Sequence, residues 1–177
     1  MLIQAQSDGL IEVYACGAGS LEIMKLSLTS KSADKLQIII RTGTIFESLS
    51  ASIQGMVVIK EKSVLLQPYE AGRTVEVDAA CYNMERDVPG DDDALALSTT
   101  IAGGDLEKLL SLPDFQNESY RVQQFAIWTI TDNPERDGYV GIGYFGFGSG
   151  PSDEEIAKIR ILFEEAGIST GKYQALS

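Results

Sequence analysis

Short alternations of apolar and polar residues fill the first half of the chain. The stretch 10–15 places Ile11, Val13 and Ala15 on one face, as a half-buried strand does. Similar runs follow, separated by turn residues, at 21–30, 36–42, 52–60, 63–68 and 75–79. About six or seven short strands of this kind predict an antiparallel β-sandwich.

Two local features refine this prediction. The apolar positions change phase within 21–30, which predicts a β-bulge in that strand. The runs 52–60 and 63–68 are separated by Glu61 and Lys62, and we expect them to form a hairpin.

From about residue 89 the apolar residues recur with a helical period. We expect Asp105 to cap a helix at 106–112 that Pro113 ends, and Asn117 to cap a longer helix ending near Thr131. A last helix is the clearest, because Ser152 and Glu155 have the spacing of a capping box and Gly167 suits its end. We therefore predict about three helices in this part of the chain.

The two halves together predict the α+β class. An antiparallel β-sandwich in the N-terminal part, 1–88, is followed by a helical part, 89–177, packed against it. No internal repeat or long linker divides the chain, so we expect one compact unit spanning 1–177. The glycine-rich stretch 138–151 is interpreted as a closely packed strand or a loop over the core.

Two glutamines precede the most apolar helical segment. From Phe125 to Ile130 only Thr129 is polar, so this helix is expected to be central and buried. Gln123 and Gln124 stand directly before it. A buried carboxamide must either find hydrogen-bond partners or be consumed chemically. We expect at least one of the two amides to bond the backbone.

The composition removes several classes of function. The 177 residues carry a net charge of −12, which argues against binding nucleic acid. There is no histidine, which excludes histidine-based zinc sites and Ser-His-Asp or Cys-His catalysis. No apolar run reaches membrane-spanning length, so no membrane insertion is expected. We therefore predict a protein that is not an enzyme; an enzyme that uses carboxylates, such as Glu76 with Asp78, or a bound metal stays open as an alternative.

Other candidate sites have simpler structural interpretations. Asp91 and Asp93 in the triple-aspartate turn, and Asp132 farther on, are weak calcium candidates, and turn chemistry explains them first. The segment 146–150 is rich in glycine but lacks a following lysine, so we interpret it as a bend into a helix rather than a phosphate loop. We predict no cofactor.

Cys81 is the residue with the most specific candidate chemistry. It ends an apolar strand, where a buried and inert thiol is common. A disulfide with Cys16 is an open alternative. The third option is an internal thioester, in which the Cys81 sulfur displaces ammonia from a glutamine carboxamide inside a dry pocket. An amine on another molecule would then open the bond and become covalently attached.

The segments CYNM, at Cys81, and QQFAIW, at 123–128, resemble the thioester domains of bacterial surface adhesins. Those domains carry a cysteine followed later by a Thr-Gln-x-Ala motif. The resemblance implies that Cys81 is the cysteine, Gln124 the acyl donor and Ala126 the motif alanine. Gln123 stands where the family has its threonine. The order of GTIFES, SIQGMVV, AACYNM and VQQFAIWTITD is also similar to a group of uncharacterised prokaryotic β-sandwich proteins.

Taken together, the sequence predicts a non-enzymatic binding or structural module, with a protein partner or self-assembly. The thioester-forming adhesion domain, with Cys81 and Gln124 as the pair, is the first alternative. The opening residues lack the features of a secretory signal, which favours the cytoplasm, whereas the resemblance implies a cell-surface location.

Overall fold

The structure is a computed structural model that describes residues 1–139 and 149–177. Most of the glycine-rich stretch interpreted above as a strand or loop, and Gly146 to Gly148 of the rejected phosphate-loop segment, lie outside the described residues.

Eight strands are described, and six of them close into an antiparallel barrel. Their bounds are β1 Ile11–Gly17, β2 Ile23–Ser30, β3 Leu36–Ile40, β4 Thr44–Ser48, β5 Gly55–Val58, β6 Lys62–Leu66, β7 Arg73–Tyr82 and β8 Ala94–Ile101. The order around the barrel is β1-β2-β7-β5-β4-β8, and β8 closes it by pairing with β1. Strands β3 and β6 form a separate two-stranded sheet.

The predicted β-sandwich is therefore wrong, and so is the division into a strand part and a later helical part. Alternating strands bury one face equally well in a sandwich and in a barrel, so their pattern does not distinguish the two. Closure depends on β8, which lies beyond the expected boundary at residue 88 and pairs with β4 as well as β1. The second half of β8 is polar and mostly exposed, so the alternation of apolar and polar residues did not identify this strand.

The expected bulge and hairpin are also wrong. Strand β2 keeps an unbroken register with β1, and its buried residues alternate regularly from Met24 to Ser30. The apparent change of phase arises because Leu21 precedes the strand and Ile23, at its start, is only half-buried. Strand β5 pairs with β4 and β7, whereas β6 pairs with β3. The residues at 59–61 thus connect two different sheets.

Five α-helices are described, one of them ahead of the first strand. They are α1 Leu2–Ser7, α2 Gly104–Leu110, α3 Pro113–Asn117, α4 Tyr120–Thr131 and α5 Asp153–Glu165. Two predicted helix caps are wrong. The residue before α2 is Gly103 rather than Asp105, and the residue that caps α4 is Ser119 rather than Asn117. Pro113 ends the α2 segment by starting α3.

Helix α4 is the buried helix that the apolar run predicts. Every residue from Val122 to Thr129 is buried, and Trp128 is 0% exposed. The helix packs along the end of β7 and is tied there at two points. Gln124 bonds Cys81, and the Asp132 carboxylate accepts a hydrogen bond from the Met84 backbone N–H at 3.0 Å.

The capping box of α5 is confirmed. The Ser152 hydroxyl accepts from the Glu155 N–H at 3.2 Å, and the Glu155 carboxylate accepts from the Ser152 N–H at 2.7 Å. The helix ends before Gly167, whose φ of 66° is the left-handed conformation typical of a helix end.

Replacing Ser152 with alanine is expected to lower the free energy of unfolding by about 1 kcal/mol, because one N–H of the first turn loses its acceptor. Ser169→Ala is the matched control, since Ser169 precedes a short helical turn without a side-chain capping bond. Urea unfolding of both variants checks the difference. Equal midpoints would contradict the role of the cap.

Candidate functional site

The carboxamide of Gln124 pairs with the backbone of Cys81. The Cys81 N–H donates to Gln124 Oε1 at 2.9 Å, and Gln124 Nε2 donates to the Cys81 carbonyl oxygen at 2.7 Å. Both residues are 0% exposed. The structure thus brings together the two residues that the sequence singled out, although 43 positions separate them.

The pairing exists because β7 extends past the end of its neighbour β2. Their register ends at Ile23 opposite Asp78, and the Ala79 N–H still bonds the Glu22 carbonyl at 2.9 Å. Beyond that point no strand within residues 1–139 and 149–177 pairs with the edge of β7 that faces β2, whereas β5 still pairs with the other edge. A carboxamide presents one acceptor and one donor as a strand residue does, so Gln124 takes the place of the missing strand.

The same two hydrogen bonds hold the Gln124 carboxamide beside the backbone of Cys81, the residue that carries the thiol. A thiol and a carboxamide held together in a closed site avoid most of the entropic cost of bringing two reactants together.

Tyr120 is the third member of the site. Its hydroxyl lies 2.8 Å from Gln124 Oε1 and also within hydrogen-bond distance of the Leu21 carbonyl oxygen. A tyrosine hydroxyl has one proton and donates it to one acceptor at a time. Burial raises the pKa of Tyr120 well above its ordinary value, and the nearby Cys81 and Glu22 add to the rise. The hydroxyl therefore remains a donor at neutral pH.

Two groups consequently converge on Gln124 Oε1: the Cys81 N–H donates to it, and the Tyr120 hydroxyl, whose one proton has the Leu21 carbonyl oxygen as its other acceptor, lies 2.8 Å away. Attack on the amide carbon would place negative charge on this oxygen. Fixed donors aimed at such an oxygen stabilise the tetrahedral state more than the ground state. The arrangement has the composition of an oxyanion hole.

Burial also raises the pKa of the Cys81 thiol above its ordinary value. The sulfur is therefore protonated at neutral pH, and any attack by it must pass its proton to the departing group. No disulfide joins Cys81 to Cys16 in this structure.

Gln123 has a different environment. Its Nε2 donates to the Phe115 carbonyl oxygen at 2.8 Å, and the residue is 6% exposed. The expectation that at least one amide bonds the backbone is confirmed for both glutamines. Only Gln124 meets Cys81.

The weak calcium candidates do not converge. Asp91 forms an ion pair with Lys25 at 2.7 Å, Asp93 accepts from the Gly90 N–H at 2.8 Å, and Asp132 binds Met84 as described. Within residues 1–139 and 149–177, no group of three or more acidic, cysteine or histidine residues is arranged to hold a metal ion. Glu76 and Asp78 are both exposed on β7.

Sequence reasoning missed Tyr120. It lies four positions before Gln124 on α4, so the two side chains share one face of the helix. That spacing was available in the sequence, but nothing in it indicated that the hydroxyl meets the same amide.

None of the helices in the described part of the chain is both long and apolar enough to cross a bilayer. Comparisons with protein-family models, with curated proteins and with solved structures find no match to this chain. A function is therefore inferred from the geometry of Cys81, Gln124 and Tyr120.

Proposed function

We propose that this chain is a non-enzymatic binding module that attaches covalently to its partner through an internal thioester between Cys81 and Gln124. The observation that carries the proposal is the two-point pairing of the Gln124 carboxamide with residue 81, at 2.9 and 2.7 Å. The adhesin resemblance names the same two residues independently of the geometry.

The first step forms the bond between Cys81 Sγ and Gln124 Cδ and breaks the bond between Cδ and Nε2. The thiol proton goes to the departing nitrogen, which leaves as ammonia, so atoms and charge balance without an oxidant. Tyr120 and the Cys81 N–H stabilise the charge that develops on Oε1. The buried surroundings exclude water, which would otherwise hydrolyse the product.

The second step attaches the partner. Because Gln124 is 0% exposed, this step requires the site to open; the nitrogen of an amine then attacks Cδ, the bond between Cδ and Sγ breaks, and a proton from the amine returns to the sulfur. The product is a stable amide between the partner and residue 124, with a free thiol at Cys81. Each molecule reacts once, which is binding rather than turnover.

A structural or assembly module without covalent chemistry is the second candidate. The observation that favours it is the same pairing considered only as hydrogen bonding, because the Gln124 amide satisfies two buried backbone groups of β7. In this case the cysteine contributes packing alone.

Intact-mass measurement of the purified native chain separates the two functions. A thioester is expected to leave the chain lighter by one ammonia than its sequence mass, and Cys81→Ala is expected to restore the full mass. Cys16→Ala is the matched control, because it removes the other thiol and should keep the deficit. A full-length mass with two reactive thiols in the parent chain would contradict the thioester.

A further inference from the structure

Both hydrogen bonds between the Gln124 carboxamide and β7 go to one residue. The Cys81 N–H donates to Oε1 at 2.9 Å, and Nε2 donates to the Cys81 carbonyl oxygen at 2.7 Å. The N–H and the carbonyl of one strand residue point to the same side of the strand. A carboxamide meets both at once only if its donating hydrogen lies on the same side of the Cδ–Nε2 bond as Oε1. The pairing therefore uses the hydrogen that is cis to the oxygen.

A primary carboxamide has such a hydrogen, whereas the amide formed by attachment of a partner does not. A secondary amide is almost always trans, so its carbon substituent takes the position cis to the oxygen. At residue 124 this substituent would replace the hydrogen that points at the Cys81 carbonyl oxygen. Nε2 is already 2.7 Å from that oxygen, whereas carbon and oxygen stay about 3.3 Å apart even in weak hydrogen bonds. The substituent does not fit, so the pairing does not form again.

Burial is a second and independent obstacle to the return of residue 124. Gln124 and Cys81 are both 0% exposed, and every residue from Val122 to Thr129 on α4 is buried. A position without exposed surface has no room for a partner molecule, whatever the geometry of its amide. Residue 124 therefore leaves the edge of β7 when it carries a partner.

The displacement of residue 124 prevents the reverse reaction. In the first step the Cys81 sulfur attacks an amide carbon and expels its nitrogen as ammonia. The same attack on the product amide would form the thioester again, break the bond between Cδ and the partner's nitrogen, and release the partner as an amine with the thiol proton. This attack requires an amide held beside Cys81, and the pairing that holds it accepts only a primary carboxamide.

We propose that the pairing with residue 81 makes covalent attachment one-way, because it accepts the primary carboxamide of Gln124 and rejects the secondary amide of the product. The N–H and the carbonyl of Cys81 thus determine which amide the thiol attacks. The Asp132 carboxylate continues to hold the Met84 N–H, so the C-terminal end of α4 stays in place when residue 124 leaves. This inference rests on the proposed thioester and adds what prevents its reversal.

Ammonia and methylamine are matched probes, since both open a thioester and they differ by one methyl group. Ammonia returns residue 124 to the primary carboxamide, whereas methylamine leaves a secondary amide. The native chain is treated with each probe, the excess is removed, and intact mass is followed over time. We expect the ammonia-treated chain to expel ammonia and regain its mass deficit, and the methylamine-treated chain to lose its adduct at least about a hundredfold more slowly.

Hydrogen exchange at the Cys81 N–H provides a structural readout. In the ammonia-treated chain this N–H bonds Oε1, whether residue 124 is a carboxamide or again a thioester. In the methylamine-treated chain we expect its exchange to be about tenfold faster, because its acceptor has left. The N–H of Ala80, a residue that pairs with Val57 on β5, is the internal control and should exchange at the same rate in both chains.

Return of the mass deficit at the same rate after both treatments would overturn the one-way pairing and leave the thioester in place. Equal exchange at the Cys81 N–H in the two treated chains would overturn it as well. An ammonia-treated chain that stays at full mass would also contradict it, since that chain has the starting composition. A native chain with no mass deficit and no added methylamine would overturn this proposal together with the thioester.

Discussion

Replacing Trp128 with alanine is expected to lower the free energy of unfolding by about 3–5 kcal/mol. The indole is fully buried in the C-terminal half of α4 and packs against Phe125, with ring centroids 6.0 Å apart. Its Nε1 donates to Gln54 Oε1 at 3.3 Å, and Gln54 is itself 0% exposed. Truncation therefore leaves a cavity and removes a hydrogen bond from a buried amide oxygen.

Urea unfolding followed by circular dichroism measures the effect. Ile161→Ala on α5 is the control, because Ile161 is 54% exposed and should change stability by less than about 0.5 kcal/mol. If Trp128→Ala unfolded at the same urea concentration as Ile161→Ala, the buried position of Trp128 on helix α4 would be contradicted.

Replacing Gln124 with methionine is expected to cost about 3 kcal/mol of stability when measured in a Cys81→Ala background. Methionine fills a similar volume but leaves the N–H and the carbonyl of residue 81 without their partners, at a buried position. The Cys81→Ala background prevents thioester formation, so the difference reports the hydrogen bonds of the Gln124 carboxamide: two with the backbone of residue 81 and one with the Tyr120 hydroxyl.

Gln123→Met in the same background is the matched control. It removes one hydrogen bond, to the Phe115 carbonyl, and is expected to cost about 1 kcal/mol. An effect of Gln124→Met no larger than that of Gln123→Met would show that the edge of β7 does not depend on the amide.

The sequence was most informative where local chemistry decides structure. The capping box at Ser152, the left-handed Gly167 and the buried run around Trp128 all follow from rules that involve neighbouring residues. The barrel did not follow from such rules. Its closure depends on how β8 pairs with β1 and β4, which are distant in the chain.

The candidate site, too, could be predicted only in part from the sequence. Cys81 and Gln124 were identified through the adhesin resemblance, since no local spacing links residues 43 positions apart. Tyr120 was not identified, because its helical spacing from Gln124 does not by itself show that the hydroxyl meets the carboxamide.

Electron density at Cys81 and Gln124 in a crystal of the native chain tests the central claim most directly. We predict continuous density between Cys81 Sγ and Gln124 Cδ, no density for Gln124 Nε2, and Oε1 held by the Cys81 N–H and the Tyr120 hydroxyl. An intact carboxamide beside a separate thiol would contradict the thioester, and a Gln124 side chain away from residue 81 would contradict the site itself.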